Sequence, residues 1–521
     1  MGESPVFGTG SMVGRRSFLR AGLLLGGAVA GSGLLSACGG PGSSSSGSGG
    51  GGGSSRSLTI GTVVVDDTMN PMQEQYTTFQ FNAFDGLVRR LRGDEQATPR
   101  LAQEWTRRSD TVWRFKLRQG VTFHDGSPVT ADDVVFSFTE LIGKQYANAT
   151  VLTGVKDVRK IDATTIEIET QAPDPLLLSK VGQVFVVPEK YWKAKGPEGF
   201  MAAPIGSGPF KIKSFSVDRG VEFTAFDAFY GGKPKTSEIT LRYFTDATAL
   251  ASAVEAGEVD AAQNLGAETI KTLGGRDDIA LHTDFSGNQN MFQLNTTRAP
   301  FDDIRVRQAA IKAIDVKALI SALTYGAGVI EDGQLPISGV VGYDSSIHRP
   351  AYDLEGAKRL IQDAGAGGAE VEIFGMSIYK RLYEAIGAQL QAIGLKPKIT
   401  AVEIPVWVKS FRTGTDAHVF YRGASYTGIF DADRVYQHVS SSKKPFVKDA
   451  KWDSLMTDQR TELDEAKRRE KLSACARHLL DQSYILYTYG APTVGATRKG
   501  VSGFDNGNGL MLLLDGVTKE G

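Results

Sequence analysis

Few of the residues that could do chemistry in this chain stand at the spacings that catalysis or metal binding requires. The six histidines are scattered, and no two of them are four residues apart. The sequence contains no Gly-x-Ser-x-Gly elbow, no His-Glu-x-x-His motif and no paired-cysteine metal motif. We therefore predict that the protein is not an enzyme and that it needs no cofactor and no metal. A hydrolase is kept as an alternative, because a catalytic triad is assembled in space rather than in sequence.

Two motifs contain residue types that are found in catalytic or phosphate-binding sites, but we predict a structural role for both. His124 stands in Phe123-His124-Asp125-Gly126, a turn between a predicted strand and a capped helix, so we expect a structural histidine. Gly206-Ser207-Gly208 is not followed by Lys-Ser or Lys-Thr, which excludes a phosphate-binding P-loop. These glycines are predicted to serve a chain crossing between domains.

Cys38 is the residue with the clearest predicted chemistry, which is attachment of lipid. Arg15-Arg16 precedes an uncharged run of about 15 residues, shorter than the roughly 20 that span a bilayer as a helix. The run ends in Leu35-Ser36-Ala37-Cys38, which resembles the lipobox of bacterial lipoproteins, and the arginine pair resembles a twin-arginine export signal. The sequence predicts a signal peptide over 1–37 and a lipidated cysteine with a Gly/Ser tether over 38–57. A transmembrane anchor is the alternative that this pattern disfavours.

Composition limits the class of the part that follows. The chain has 521 residues, of which 41% are hydrophobic, so two or three globular domains are expected after the tether. The 58 basic and 59 acidic residues nearly balance, which gives no reason to expect nucleic acid as a partner. Cys475 is the other cysteine, so no intrachain disulfide framework forms after the tether, and we predict a buried thiol in a helix.

Hydrophobic spacing predicts strands and helices that alternate along the chain, which favours α/β lobes. Thr130 and Asp133 predict a capping box at the start of one of these helices. Strands are predicted over 58–65, 112–117, 161–170, 210–215, 259–261, 371–374 and 398–404. Helices are predicted over 76–90, 134–142, 247–256, 306–314, 354–364, 379–393 and 462–480.

Several blocks of the sequence, taken together, resemble family 5 of the extracellular solute-binding proteins. These are the oligopeptide-, dipeptide- and nickel-binding receptors of ABC importers. The longest block, 113–137, contains the Phe-His-Asp-Gly turn, and a second one is Gly206-Ser207-Gly208-Pro209-Phe210. Other blocks fall at 101–105, 229–234, 256–260, 294–297 and 300–309.

The resemblance implies a two-lobed fold of the periplasmic-binding-protein type (type II, cluster C), with an extra domain in the first lobe. The implied division assigns three segments to lobe 1, namely 58–92, 205–285 and 483–521. The extra domain is expected over 93–204 and lobe 2 over 286–482.

The resemblance also implies a function, which is capture of a peptide or a peptide-like small polar solute between the lobes and delivery to an ABC permease. The expected protein is a monomer outside the cytoplasm, held by lipid on the cell membrane in the periplasmic space or on the outer face. A receptor for a metal chelate is an alternative, since His418 and His438 flank the candidate site. A scaffolding or adhesion role is another alternative.

The segment 407–436 is the expected ligand region, by position in the family. Peptide-binding members have an Asp there that pairs with the ammonium group of the peptide, whereas this chain has Ser425, and Arg422 stands where a Trp is usual. One hypothesis is therefore an anionic or amine-blocked solute, because a hydroxyl cannot supply that charge-assisted bond and a guanidinium prefers carboxylate or phosphate. The other is that Asp431 or Asp433 pairs with the amine.

Seven further side chains are expected to contact the solute, either by family position or because tyrosine and tryptophan favour boundaries between apolar and wet surfaces. They are Gln75, Tyr76, Trp407, Tyr421, Tyr426, Tyr487 and Tyr489.

Overall fold

Three sheets of different size organise the computed structural model of this protein. The structure describes residues 57–73, 77–426, 428–440, 443–506 and 511–520, within the unit Arg56–Gly521. The predicted signal peptide, Cys38 and the tether up to residue 56 lie outside the described residues. None of the helices in the described ranges has both the length and the apolar content that a membrane span requires.

The N-terminal part of the chain starts one sheet and completes another. Its four-stranded sheet, in the order β4-β5-β7-β6, lies within the range predicted for the extra domain. The elements are β1 (Ser57–Thr62), α1 (Thr78–Ala83), β2 (Val88–Arg89), β3 (Thr98–Pro99), β4 (Ala102–Arg107), β5 (Val112–Leu117), α2 (Ala131–Lys144), β6 (Val155–Asp162), β7 (Thr165–Thr170), α3 (Leu177–Val181) and α4 (Glu189–Ala202).

The next part of the chain continues the sheet that β1 began. Here β1 pairs in parallel with both β10 and β11, while β8 and β9 extend the sheet on one side. The elements are β8 (Phe210–Ser216), β9 (Gly220–Ala225), β10 (Glu238–Tyr243), α5 (Ala247–Ala256), β11 (Ala261–Leu265), α6 (Thr269–Leu273) and β12 (Ile279–Gln289).

The remaining elements build the second lobe and then return to the first. Within the second lobe α7, α8, α9 and α10 share a buried core with the sheet. The elements are β13 (Phe292–Leu294), α7 (Ile304–Ala313), α8 (Val316–Thr324), β14 (Val329–Ile330), α9 (Leu354–Asp363), β15 (Glu370–Met376), α10 (Lys380–Ala392), β16 (Lys396–Val402), α11 (Ile404–Thr413), β17 (Val419–Tyr421), β18 (Ala424–Ser425), α12 (Asp433–Tyr436), α13 (Ala450–Arg460), α14 (Glu465–Asp481), β19 (Ile485–Leu486), β20 (Tyr489–Arg498), β21 (Val501–Ser502) and β22 (Thr518–Lys519).

The two larger sheets define the two lobes. The sheet of the first lobe runs β18-β12-β20-β11-β1-β10-β9-β8, with β14 also paired to β20. The sheet of the second lobe runs β16-β15-β17-β13-β19. Strands β14 and β18 thus pair with the first sheet although they come from the range predicted for lobe 2. The predicted domain boundaries stay predictions.

Local sequence patterns predicted several structural features correctly. The capping box of Thr130 and Asp133 starts α2, α5 ends as predicted at Ala256, and Cys475 is buried. The predicted helix over 76–90 is wrong in its second half, where β2 forms. Gly86 packs against the backbone there, since an added Cβ would lie 2.9 Å from the carbonyl oxygen of Gly182.

The two motifs assigned to architecture meet each other. His124 is buried, its Nε2 lies 3.0 Å from the carbonyl oxygen of Gly208, and the amide of Gly206 donates to its Nδ1 at 3.2 Å. A Cβ at Gly206 would lie 1.9 Å from the carbonyl oxygen of Ala83. Glycine is therefore required at position 206, where segment 206–208 passes the end of α1. The neutral imidazole of His124 stabilises this segment through its contacts with Gly206 and Gly208.

Candidate ligand-binding site

Among the described strands, three short segments join a strand of one large sheet directly to a strand of the other, and they run side by side. Residues 290–291 join β12 of the first sheet to β13 of the second. Residues 422–423 join β17 of the second sheet to β18 of the first, and residues 487–488 join β19 to β20. We call these three segments the crossings.

Both lobes turn the carboxyl ends of parallel strands toward the crossings. In the second lobe, β15 and β16 run parallel to β17, whose last residue Tyr421 is paired with Phe292, directly after a crossing. In the first lobe, β1 and β10 run parallel to β11, which runs toward the crossing side of β20, since its first residue Ala261 pairs with Thr497 and its last residue Leu265 with Val494. Ligands of open α/β sheets bind in the crevice at the carboxyl ends of the strands. The topology therefore identifies the crevice between the two strand edges as the candidate site.

Hydrogen bonds tie the crossings to one another. The amide of Arg422 donates to the carbonyl of Met291 at 2.9 Å, and the hydroxyl of Thr488 donates to the carbonyl of Asn290 at 3.1 Å. The side-chain amide of Asn290 donates to the carbonyl of Tyr489 at 3.0 Å and accepts from the Tyr421 hydroxyl at 3.2 Å. Buried backbone groups that leave one sheet for another are satisfied in this way.

Tyr421, Arg422 and Trp407 meet at the carboxyl edge of the second sheet, and all three are buried. The Nε of Arg422 donates to Gln293 at 2.5 Å, and its guanidinium lies 5.0 Å from the ring centre of Phe411. Burial lowers the pKa of Arg422, which still carries its charge at neutral pH. Trp407 donates from its indole nitrogen to the carbonyl of Tyr421 at 2.8 Å. Their contact with a solute stays a prediction.

Ser425 and Tyr426 follow the second crossing. Ser425 pairs with Asn288 at the edge of the first sheet and is only partly buried. Tyr426 is fully buried, its hydroxyl donates to the carbonyl of Leu335 at 3.2 Å, and burial raises its pKa.

Asp431 and Asp433 are already bound to arginines. Asp431 accepts two bonds from the guanidinium of Arg468, at 2.6 and 2.9 Å, and both side chains are about 95% buried. Asp433 accepts from the Nε of Arg460 at 2.7 Å and also from Gln459. A cavity of about 260 Å³ is lined by Asp433, Arg460 and Arg468 on one side and by loop 171–176 on the other. The predicted pairing of either aspartate with an amine stays untested.

Tyr487 belongs to the third crossing, and Tyr489 directly follows it. Tyr487 is fully buried, and Tyr489 is 5% exposed and packs next to Gly328. Gln75 and Tyr76 lie outside the described residues. In the described segment that follows β1, Asp66 is buried, and the Tyr243 hydroxyl donates to it at 2.5 Å. Burial raises the pKa of Asp66 to about 6.

Sequence reasoning missed Glu331, which lies beside the third crossing and is completely buried. A signal was present, since the adjacent carboxylates Glu331 and Asp332 follow Val329-Ile330 in an otherwise uncharged glycine-rich stretch. Burial raises the pKa of Glu331 to about 7, against the opposing effect of two backbone amides, those of Thr488 and Asn290.

The two histidines near the site, His418 and His438, interact with other residues of the protein. The Nδ1 of His418 accepts from the amide of Glu372 at 3.0 Å. His438 is buried beside Phe411, and burial lowers its pKa to about 3. Within the described ranges, no three or more His, Cys, Asp or Glu residues stand close enough together to hold a metal ion.

Comparison with known proteins agrees with this architecture. Residues 96–446 match the family described as bacterial extracellular solute-binding proteins, family 5. Heme-binding protein A of Haemophilus influenzae is 27% identical over 373 residues, covering 65% of this chain and 68% of that protein. The dipeptide-binding protein of Escherichia coli strain K12 is 26% identical over 466 residues, covering 81% and 86%.

A solved structure has the same fold. HbpA2 from Haemophilus parasuis superposes with a TM-score of 0.78 and 25% identity, covering 89% of this chain and all of that one. The relatives are binding proteins rather than enzymes, which confirms the predicted class and the two-lobed fold. The chain belongs to family 5 of the bacterial extracellular solute-binding proteins, which work outside the cytoplasm with ABC importers.

Proposed function

We propose that this chain is a lipid-anchored receptor that captures a peptide or a peptide-like small polar solute and delivers it to an ABC permease. The observation that carries the proposal is the topology, in which two sets of parallel strands, one in each lobe, run with their carboxyl ends toward the three crossings. The similarity to a dipeptide-binding protein over 81% of the chain supports the peptide class.

The architecture suits a receptor that reports whether it is loaded. A solute that contacts both strand edges stabilises the arrangement in which the edges are close. Moving a two-state equilibrium from 1:99 to 99:1 takes about 5.5 kcal/mol of differential binding. Hydrogen bonds from an enclosed polar solute can supply that difference.

A second candidate solute, anionic or amine-blocked, is favoured by Ser425. Its hydroxyl stands where peptide-binding members have an aspartate, and the nearby Asp431 and Asp433 are engaged by Arg468 and Arg460. A free ammonium group would then lack its usual carboxylate partner in this part of the crevice.

Native mass spectrometry of protein purified without added solute tests the receptor function directly. A bound small molecule is expected, and adding it back should raise the melting temperature without any turnover. A protein that carries no solute and is not stabilised by any member of a broad peptide and metabolite panel would contradict the proposal.

Two matched probes separate the candidate solutes, namely L-alanyl-L-phenylalanine and its N-acetyl derivative. Preference for the acetylated probe supports the amine-blocked class, and preference for the free amine supports an ordinary peptide. In the variant Ser425→Asp, a new charge-assisted bond of about 1.5–3 kcal/mol should strengthen binding of the free amine roughly 10- to 150-fold. Ser425→Asn is the uncharged control.

Lipid attachment is tested separately. Wild-type cells fed labelled palmitate should yield a labelled protein in the membrane fraction, and the Cys38→Ser variant should lose both the label and the membrane association. A labelled Cys38→Ser variant would contradict attachment at this residue.

A further inference from the structure

Strand β14 continues the carboxyl edge of the first sheet beyond the end of β11. Gly490 of β20 pairs with Gln289 of β12 on one side and with Val329 of β14 on the other. Since β11 also lies on the side of β20 away from β12, β14 is in line with β11 and closer to the third crossing. The last residue of β14, Ile330, pairs with Tyr489 beside that crossing and is 38% exposed.

Two exposed aliphatic residues lie at the carboxyl edge of the second sheet. Strands β15 and β16 are parallel neighbours whose last residues are paired. Ile378 follows β15 and is 64% exposed, and Val406 lies in the first turn of α11, which follows β16, and is 50% exposed. The hydroxyl of Ser377 donates to the carboxylate of Glu403 at 3.1 Å, so the two segments that follow these strands are in contact.

Tyr379 connects the two edges. It directly follows Ile378, and its ring centre lies 4.9 Å from that of Tyr421, the last residue of β17. It also interacts electrostatically with Tyr489, the first residue of β20 in the first sheet. The segment that carries Ile378 therefore lies beside the crossings, close to the strand that pairs with Ile330.

Strand spacing gives the distances along the second edge. Neighbouring strands lie about 4.8 Å apart, so the ends of β15 and β16 are about 5 and 10 Å from the end of β17. Two extended residues span about 7 Å, so a dipeptide bound at the crossings can reach Ile378 and Val406 with a side chain. Scattered exposed apolar residues are common, but contiguous ones mark ligand-binding surfaces.

We propose that Ile330, Ile378 and Val406 form an apolar subsite that selects solutes with a large aliphatic or aromatic side chain. The inference rests on the proposed receptor function and narrows its substrate class. A side chain buried against both sheet edges also joins the two lobes, so it favours the loaded arrangement. An acidic or basic side chain would lose its hydration there, because these three side chains offer no hydrogen bond in return.

Isothermal titration calorimetry with matched probes tests the subsite. The probes are L-alanyl-L-phenylalanine and L-alanyl-glycine, each also as its N-acetyl derivative, so the comparison holds whether or not the solute has a free amine. Burial of the phenyl ring should make the phenylalanine probe bind about 10- to 150-fold more tightly than the glycine probe.

A double variant, Ile378→Ser with Val406→Ser, removes the larger part of the subsite. Both side chains are exposed, so the melting temperature of the solute-free protein should stay that of the wild type. The preference for phenylalanine over glycine should be largely lost, while the affinity for the glycine probe stays unchanged. The control Ile161→Ser removes a side chain of similar exposure, 43%, from β6 in the four-stranded sheet and should keep the wild-type preference.

Equal affinity of the wild type for the phenylalanine and glycine probes, or an unchanged preference in the double variant, would overturn the subsite. Photocrosslinking of the wild type gives a second readout that needs no variant. L-alanyl-4-benzoyl-L-phenylalanine should crosslink to peptides that contain Ile330, Ile378 or Val406, and crosslinks confined to other peptides would also overturn the subsite. If none of the probes binds, the peptide receptor function itself is contradicted and the subsite with it, so the two failures are distinguishable.

Discussion

The buried pair of Asp431 and Arg468 decides between two roles for Asp431, structural partner or amine anchor. The substitution Asp431→Asn keeps the shape of the side chain but leaves the guanidinium of Arg468, 6% exposed, without its bidentate carboxylate. Removing one partner of a buried ion pair costs about 3–5 kcal/mol, because the other charge stays buried and uncompensated. We expect the free energy of unfolding to fall by that amount.

Urea unfolding followed by tryptophan fluorescence measures this loss, since Trp452 is buried in the neighbouring helix α13. The double variant Asp431→Leu with Arg468→Met removes both charges and should recover most of the stability, because apolar replacements of a buried pair are often neutral or better. Asp416→Asn is the matched control, because its carboxylate is 77% exposed and should change stability by less than about 1 kcal/mol.

The alternative outcome is equally clear. If Asp431 anchors an ammonium group, Asp431→Asn should weaken binding of L-alanyl-L-phenylalanine and leave the free energy of unfolding unchanged. That result would refute the structural role derived from the ion pair.

Three further predictions concern the buried His124, the glycine at the end of α1 and the free thiol. Burial lowers the pKa of His124 to about 4; the unfolded chain binds the proton first, so stability should fall by about 3 kcal/mol as the pH drops from 7 to 4. Urea unfolding of the wild type and His124→Gln should show this pH dependence reduced in the variant, and equal slopes would contradict it. Gly206→Ala should destabilise the protein strongly, because the new Cβ would lie 1.9 Å from a backbone oxygen, whereas Gly143→Ala in α2 meets no atom within 4 Å and should be neutral or stabilising in thermal melts. Burial raises the pKa of Cys475 to about 12, so a disulfide reagent should label it in urea but not in the native protein at pH 8, and rapid native labelling would contradict its burial.

Local patterns in the sequence predicted what local physics determines. The capping box at Thr130, the helix that ends at Ala256 and the buried thiol of Cys475 depend on residues a few positions apart. The helix over 76–90 failed where a distant backbone contact at Gly86 overrode the apolar spacing. Family position identified the stretch that holds Tyr421 and Ser425, which the structure brings to the crossings.

The remaining site residues are bonded to partners that lie far away along the chain. Glu331 is bonded to Thr488, 157 positions away, and Asp431 to Arg468, 37 positions away. Neither partner can be chosen from spacing, because it is set by how the two sheets are joined. A carboxylate that the sequence suggests as a ligand anchor, such as Asp431, can therefore be bonded to an arginine within the fold. Another carboxylate, such as Glu331, can be buried at a position that no sequence motif indicates.

The crossings are the places where strands of the two large sheets are joined directly. Rotation of one lobe against the other would change dihedral angles at 290–291, 422–423 and 487–488. The bonds that join Arg422 to Met291 and Thr488 to Asn290 connect crossing to crossing, so they can persist while the lobes rotate.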